Sequence, residues 1–334
     1  MRHVVIDQQD SFLTVERARL VIRHAEWPKP QSVPLVQLES VVIQSRTQLD
    51  SAVLSQLAAH DVRLQVIPAR GQGEPCYLVG TQHKDAQRRL AQYAVSQDEG
   101  AQLAWAKRVV RLRLRGQRLL LLQAAQIRHE LAAMLYQQAR QIGEIAARVM
   151  QQPTVAAVRG SEGAATALYF QAYQRLFAPS LGFNSRNRRP PQDPVNVLLS
   201  LSYTMLHSTV AKAVQTVGLD PQLGALHEVA YGRDSLVCDL VELQRAQVEW
   251  WVWRLCATET IRVEDFTVSD APNHLPCTFG KAGRGRFYQA FALVQDQWLR
   301  DAKQAAWVLV KRLSPQTSPV TGMGVMDVAF EDET

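Results

Sequence analysis

The chain has 334 residues, 47% hydrophobic and 20% charged, a composition that excludes wholesale disorder and supplies enough apolar side chains for two domain cores. It carries 37 Lys and Arg against 31 Asp and Glu, a formal charge of +6. No stretch approaches the ~18 consecutive apolar residues of a membrane span, and the start MRHVVIDQQD lacks the apolar region of a secretion signal, so a cytoplasmic protein is expected.

The first 83 residues hold eight basic and eight acidic side chains, and residues 119–334 hold 20 of each. Between them stand Lys84, Arg88, Arg89, Lys107, Arg108, Arg111, Arg113, Arg115 and Arg118 against only Asp85, Asp98 and Glu99, so the whole surplus lies in residues 84–118. Such a surplus points to an anionic partner. Cys76, Cys238, Cys256 and Cys277 are widely spaced with no C-x-x-C pair, which predicts reduced thiols rather than a zinc knuckle or a disulfide framework.

Short apolar runs at 4–6, 12–15, 20–23, 33–43, 62–67 and 77–79 predict strands, interrupted by one helical pattern at 49–60. From about residue 84 to 313 the periodicity is helical. The expected fold is α+β: a small N-terminal β-rich domain (1–83), a larger all-α domain (84–313) and an acidic, loosely ordered or docking tail (314–334). Gly116 is read as interrupting an Arg- and Leu-rich run and Pro153 as stopping the following helix, and LGFNSRNRRPPQDP (181–194) reads as a loop.

Arg108, Arg111, Arg115 and Arg118 are spaced 3, 4 and 3 apart, which places them on one helix face where they can follow a phosphate backbone. No acid occurs between 100 and 129, unlike the mixed signs of an ordinary solvated face. Arg186, Arg188 and Arg189 form a second cationic cluster, and Lys281, Arg284 and Arg286, set among glycines in GKAGRGRFY, form a third in a predicted turn. Nucleic acid is the leading partner. Trp250, Trp251 and Trp253 read as core or interface.

Asp239 and Glu242 lie i, i+3 on a helix predicted from Ser235 as N-cap, a spacing that presents two carboxylates to a hard divalent ion or, equally, makes a polar stripe with Glu242 paired to Arg245. His227 in GLDPQLGALHE reads as a ligand or a surface histidine, and Glu162 in VRGSEGAATALYF as a ligand or an acid in the first turn of a helix.

In order and spacing, RGSEG (159–163), GFNSRNRRPPQDPVNVLLSLSYTML (182–206), GLDPQLGALHE (218–228), GRDSLVCDLVELQR (232–245) and the Gly/Arg/Phe segment at 280–287 resemble the universal CRISPR spacer-acquisition integrases. The resemblance implies a dimerising β domain and a helical domain with a Mg²⁺ or Mn²⁺ nuclease site. It places the metal ligands on Glu162, His227 and Glu242, with Asp239 as a neighbouring catalytic acid. The family's Phe-Arg-Pro after the acidic pair is here Leu243, Gln244, Arg245 and Ala246, so only the arginine is kept. The implied activity is DNA cleavage and strand transfer, by attack of fragment 3′-hydroxyls on repeat phosphodiesters. The implied assembly is two integrase dimers bridged by a small ferredoxin-like CRISPR-associated protein. Tyr203 and Asn196 read as positioning a DNA end, the tyrosine at least equally as core packing of the SLSYTML helix, and the arginine row is expected to hold duplex backbone near the metal site. The competing readings are a non-catalytic DNA-binding scaffold and a structure-specific nuclease of branched repair DNA.

Overall fold

In the N-terminal part, short β-branched and apolar runs separated by turn residues form eight strands: β1 (Arg2–Ile6), β2 (Ser11–Glu16), β3 (Arg19–Arg23), β4 (Gln31–Pro34), β5 (Leu38–Ile43), β6 (Thr47–Leu49), β7 (Arg63–Val66) and β8 (Cys76–Leu78). The structure, a computed structural model, describes residues 2–60, 62–67, 76–78, 85–187, 190–267 and 277–313. Lys84, Arg188, Arg189 and the acidic tail lie outside the described residues.

One sheet has the order β1-β5-β7-β8, parallel except at β8, and the other the order β4-β3-β2-β6. β2 and β3 are joined by Arg17 and Ala18, both at positive φ (49° and 57°), as a tight hairpin requires. The apolar run 33–43 is two strands rather than one. Pro34 has no amide to donate, so β4 ends there on the sheet edge, a 3₁₀ turn covers 35–37, and β5 enters the other sheet. The predicted helix at 49–60 is α1 (Ser51–Ala59), because Asp50 caps it by accepting from the Ala52 amide at 2.9 Å, and residues 47–49 pair in β6 instead. Leu13, Leu20, Leu35, Val41, Val53 and Leu57 make the fully buried centre of this part.

The remainder is helical: α2 (Ala86–Ser96), α3 (Glu99–Ile127), α4 (Ala132–Val149), α5 (Val155–Tyr173), α6 (Pro194–Thr216), α7 (Ser235–Ala257) and α8 (Lys281–Leu313), with the strand pair β9 (Phe266–Thr267) and β10 (Thr278–Phe279) before α8. These helices share one apolar core, separate from the β core. Side chains of Asp85, Asp98, Thr154 and Asp193 cap α2, α3, α5 and α6, and Pro153 stands between α4 and α5 as expected. Trp253 is buried, its Nε1 donating to the Leu176 carbonyl at 3.2 Å, and Trp251 stands edge-on to Phe287 and Trp298 in the same core. The two parts meet where His3 hydrogen-bonds Gln295 of α8 and Arg63 Nη1 donates to the Ser208 carbonyl at 2.6 Å.

Four local expectations are corrected. Gly116 does not break its helix. α3 runs through it, and the missing side chain lets α7 approach, since a Cβ there would meet Ala246 Cβ at 3.1 Å. The glycine-rich segment at 280–287 is the start of α8 rather than a turn, and Gly283 is needed for contact, because a Cβ would fall 2.7 Å from Asp265 Cβ. α5 begins at Val155, so Glu162 sits well inside the helix and not in its first turn, and α7 is preceded by Asp234 rather than capped by Ser235.

Candidate active site

α3 packs against both α5 and α7, and the three helices bring together charges far apart in sequence. Arg113 of α3 hydrogen-bonds Glu162 of α5 through Nη1, and the same nitrogen lies 2.6 Å from Glu242 Oε2 of α7. The two carboxylates therefore stand on either side of one guanidinium nitrogen. Arg245, one turn along α7, donates from Nε to Glu242 Oε1 at 2.8 Å. Burial alone would raise the Glu242 carboxyl, but Arg245 and Arg113 outweigh it and hold the group below its ordinary value as a carboxylate.

His227 approaches from the loop between α6 and α7. Asp239, completely buried, accepts from the amides of Ala225 (2.7 Å), Leu226 (3.1 Å) and His227 (2.9 Å) and from His227 Nδ1 at 2.8 Å. It shapes the loop and holds the imidazole with Nδ1 donating, which leaves Nε2 without a hydrogen bond among the described residues. Asp239, expected as a catalytic acid, spends both oxygens on the loop and the imidazole. From α5, Arg159 grips the other side of the loop, donating to the Leu226 carbonyl at 2.7 Å and to Glu228 at 2.8 Å. Gly224 passes so close to the start of α7 that a Cβ would lie 2.6 Å from the Ser235 carbonyl carbon and oxygen. His227 is near enough to Glu242 to favour its charged form.

Arg113 thereby joins Glu162 to Glu242, and His227 stands within electrostatic reach of Glu242. Among the described residues no three His, Cys, Asp or Glu side chains converge to metal-binding geometry in this conformation, because Arg113 stands between the two glutamates. The donor set nonetheless fits a divalent ion: two carboxylates and an imidazole with its free nitrogen unpaired, and a buried Glu242 Oε2 that receives no well-directed hydrogen bond.

The family model for CRISPR associated protein Cas1 matches residues 4–292. The chain belongs to the Cas1 family. It is 32% identical over 304 residues to "CRISPR-associated endonuclease Cas1 1" of Thermodesulfovibrio yellowstonii, covering 91% of this chain and 93% of the relative. Its fold is similar to that of a casposase bound to integration product (TM-score 0.74, 18% identity, 98% of this chain and 97% of that one). It is also similar to a chain of a Cas6-RT-Cas1–Cas2 complex (TM-score 0.72, 22% identity, 93% of this chain and 35% of that one). The departure from the family's usual Phe-Arg-Pro leaves the Cas1 helix uninterrupted, since α7 continues through Arg245 and Ala246 to Ala257.

The candidate DNA-binding residues divide into free and committed groups. Arg111, Arg115 and Arg118 are exposed and Arg108 is half-buried, and none is paired with an acid among the described residues. They lie along one face of α3, as predicted, but Arg113 is two residues from Arg111 and Arg115 and so points about 200° away. The row therefore backs away from this chain's own carboxylates instead of running beside them. Arg118 lies across Gly143 in an open groove of about 460 Å³ with Tyr136 and Arg140.

Arg186 does not face outward. Its guanidinium donates to Asn196 (2.7 Å) and Ser200 (3.1 Å) and covers the Tyr203 ring. Tyr203 in turn donates to Glu249 at 2.5 Å with its ring 4.6 Å from the Arg245 guanidinium, so its hydroxyl serves the interior and not a DNA end. Asn196 is buried and holds the 185–193 loop through Ser185 and Asp193. Arg286 is committed to Asp265 and the Thr260 carbonyl, while Lys281 and Arg284 are exposed. Arg113, Arg159 and the fully buried Glu249 are the structural members of the site that spacing did not single out.

Proposed function

We propose that this Cas1 chain is a divalent-metal-dependent DNA endonuclease and integrase of CRISPR adaptation, which joins the 3′-hydroxyl ends of a captured DNA fragment to phosphodiesters of a CRISPR repeat. The reading rests on one observation: Glu162 and Glu242 meet at one nitrogen beside a histidine whose Nδ1 is fixed by a buried aspartate. The integration product held by the casposase neighbour supports strand transfer, and the Cas1–Cas2 assembly of the other neighbour supports a small protein partner.

Glu162, His227 through Nε2, and Glu242 would hold Mg²⁺ or Mn²⁺, which when bound polarises a phosphate oxygen and lowers the pKa of water or a 3′-hydroxyl. The chain's own residues supply the rest. Asp239 keeps His227 Nδ1 protonated so that Nε2 is the free donor atom. Arg245 stays on Glu242 and keeps it ionised. Arginines at the site offset charge building on the in-line transition state. The exposed row on α3 binds duplex backbone on the far side of the helix, and the N-terminal β domain, residues 1–83, makes the homodimer. Two such dimers are bridged by the ferredoxin-like partner.

The test is joining of a short duplex to a repeat-containing plasmid with Mg²⁺ or Mn²⁺. Glu162→Ala and His227→Ala should each abolish joining while the far-ultraviolet circular dichroism stays unchanged. Undiminished joining by either variant overturns the site.

A further inference from the structure

The contact that closes the site is made by a residue with the same sign of charge as the ion the site would bind. Arg113 reaches inward from α3, its residue 7% exposed, and touches Glu162 and Glu242 with the same nitrogen. Around these two carboxylates stand two guanidiniums, Arg113 and Arg245, so these four groups cancel in charge, and the buried Asp239 carboxylate lies behind His227. The two arginines are not held alike. Arg245 is fixed on several sides: Glu242 accepts from its Nε, and the Tyr203 ring lies beneath it. Among the described residues Arg113 is held at its tip, and its buried Nε has no hydrogen-bond partner there. A guanidinium held through one nitrogen has fewer contacts to surrender than one held at its Nε and across its face. Of the two, Arg113 is the one that can leave.

Resting on the metal-site reading above, we infer that Arg113 is a displaceable internal counter-ion that couples metal to DNA: it yields the two glutamates to the divalent ion and takes a DNA phosphate in exchange. The charge arithmetic requires an anion. A divalent ion added to these four groups brings two positive charges, of which the Asp239 carboxylate behind His227 offsets at most one, and a guanidinium pushed off its carboxylates cannot remain buried without a new partner. A phosphate has the planar-fork complementarity and the charge to supply one. Without DNA the ion must compete against a tethered cation and binds weakly. With DNA the guanidinium has somewhere to go, and each ligand tightens the other by the same factor. Arg113 is therefore a positioning residue that acts through Glu162 and Glu242. Its effect is to discourage metal loading until a DNA end is present.

The test is Mn²⁺ binding by calorimetry on the full-length protein, with and without a short duplex ending in 2′,3′-dideoxynucleotides, which cannot react. In the wild type the duplex is expected to tighten Mn²⁺ by a factor in the usual coupling range of about 5–150. Arg113→Gln, which removes the charge and keeps an amide donor on a shorter side chain, is expected to bind Mn²⁺ about tenfold more tightly than wild type without DNA, and to lose most of the coupling. Arg113→Lys keeps the charge as a single point and is expected to stay close to wild type without DNA. Equal Mn²⁺ affinity of Gln, Lys and wild-type proteins overturns the proposal and leaves the metal site standing. No Mn²⁺ binding to any of the three overturns the metal site and the proposal with it. A metal-independent check covers poor folding of the Gln variant. Its melting temperature without metal should fall, and adding Glu162→Gln should recover part of the loss, because the facing carboxylates no longer repel. Failure of that recovery also counts against the pairing.

Discussion

Asp239→Asn is nearly isosteric, yet it should be among the most damaging single changes in the helical part. The native carboxylate accepts four hydrogen bonds, from three successive backbone amides and from His227 Nδ1, at 2.7–3.1 Å, and is completely buried. Asparagine offers one oxygen and one NH₂. If its oxygen keeps the two His227 donors, its NH₂ faces the amides of Ala225 and Leu226, donor against donor. Two hydrogen bonds to a charged acceptor are then lost, two more become neutral, and each charged one is worth about 1.5–3 kcal/mol net, so the fold should lose about 3–5 kcal/mol. The imidazole also loses the carboxylate that fixes its tautomer, which should weaken Mn²⁺ binding about 10–100-fold. Urea unfolding and calorimetric Mn²⁺ titration measure the two effects separately. Asp234→Asn, at a helix-flanking residue whose side chain makes no capping bond, is the control and should change stability by less than about 0.5 kcal/mol. A loss below about 1 kcal/mol for Asp239→Asn, with unchanged Mn²⁺ affinity, would refute the claim that this carboxylate organises the loop.

Three further outcomes can be checked. Gly224→Ala should destabilise by about 1–3 kcal/mol in thermal unfolding and reduce strand transfer, because its Cβ would lie 2.6 Å from backbone atoms of Ser235 that cannot move aside like a side-chain tip; a neutral result would mean the loop is not seated against α7. Burial pushes the Glu249 carboxyl above its ordinary value of 4.5, with the Tyr169 and Tyr203 hydroxyls opposing in part. The folded state thus favours the protonated form, so the stabilisation from this group is complete below the unfolded value and is lost as pH rises through the folded one. Glu249→Gln copies the protonated form and should gain in melting temperature relative to wild type between pH 5 and pH 8; a constant difference across that range contradicts the assignment. Reversing Arg111 and Arg115 to Glu should weaken duplex binding regardless of sequence and lower the slope of log affinity against log salt by about 2, and an unchanged slope would mean that the row does not touch phosphate.

Much of this was legible in the sequence because the relevant signals are local. Short apolar runs bounded by turn residues marked the strands, and the 3-4-3 spacing marked an arginine row of which Arg111, Arg115 and Arg118 face solvent. What escaped depends on which residue of another helix stands opposite. Gly116 and Gly283 look like breaks until α7 and Asp265 are seen against them. Arg113 shares its composition with the row, and only its phase, two residues from Arg111 and Arg115, sets it on the opposite face. Asp239 and Glu242 are equivalent as an i, i+3 pair. Their roles diverge because one faces the amides of 225–227 and the other faces Arg113. Arg186 reads as a DNA contact from the loop's charge, and its partners Asn196 and Ser200 turn it inward, while Tyr203 takes the core-packing side of its two readings, on Glu249.

The account stands on Glu162, His227 and Glu242 sharing one divalent ion. Anomalous diffraction at the manganese edge, from crystals grown with Mn²⁺ and an unreactive duplex, tests this most directly. It should show a single peak bonded to Glu162, His227 Nε2 and Glu242, with Arg113 withdrawn from both carboxylates. A peak that omits two of these three residues, or an Arg113 still bridging the glutamates with the ion bound elsewhere, would contradict it.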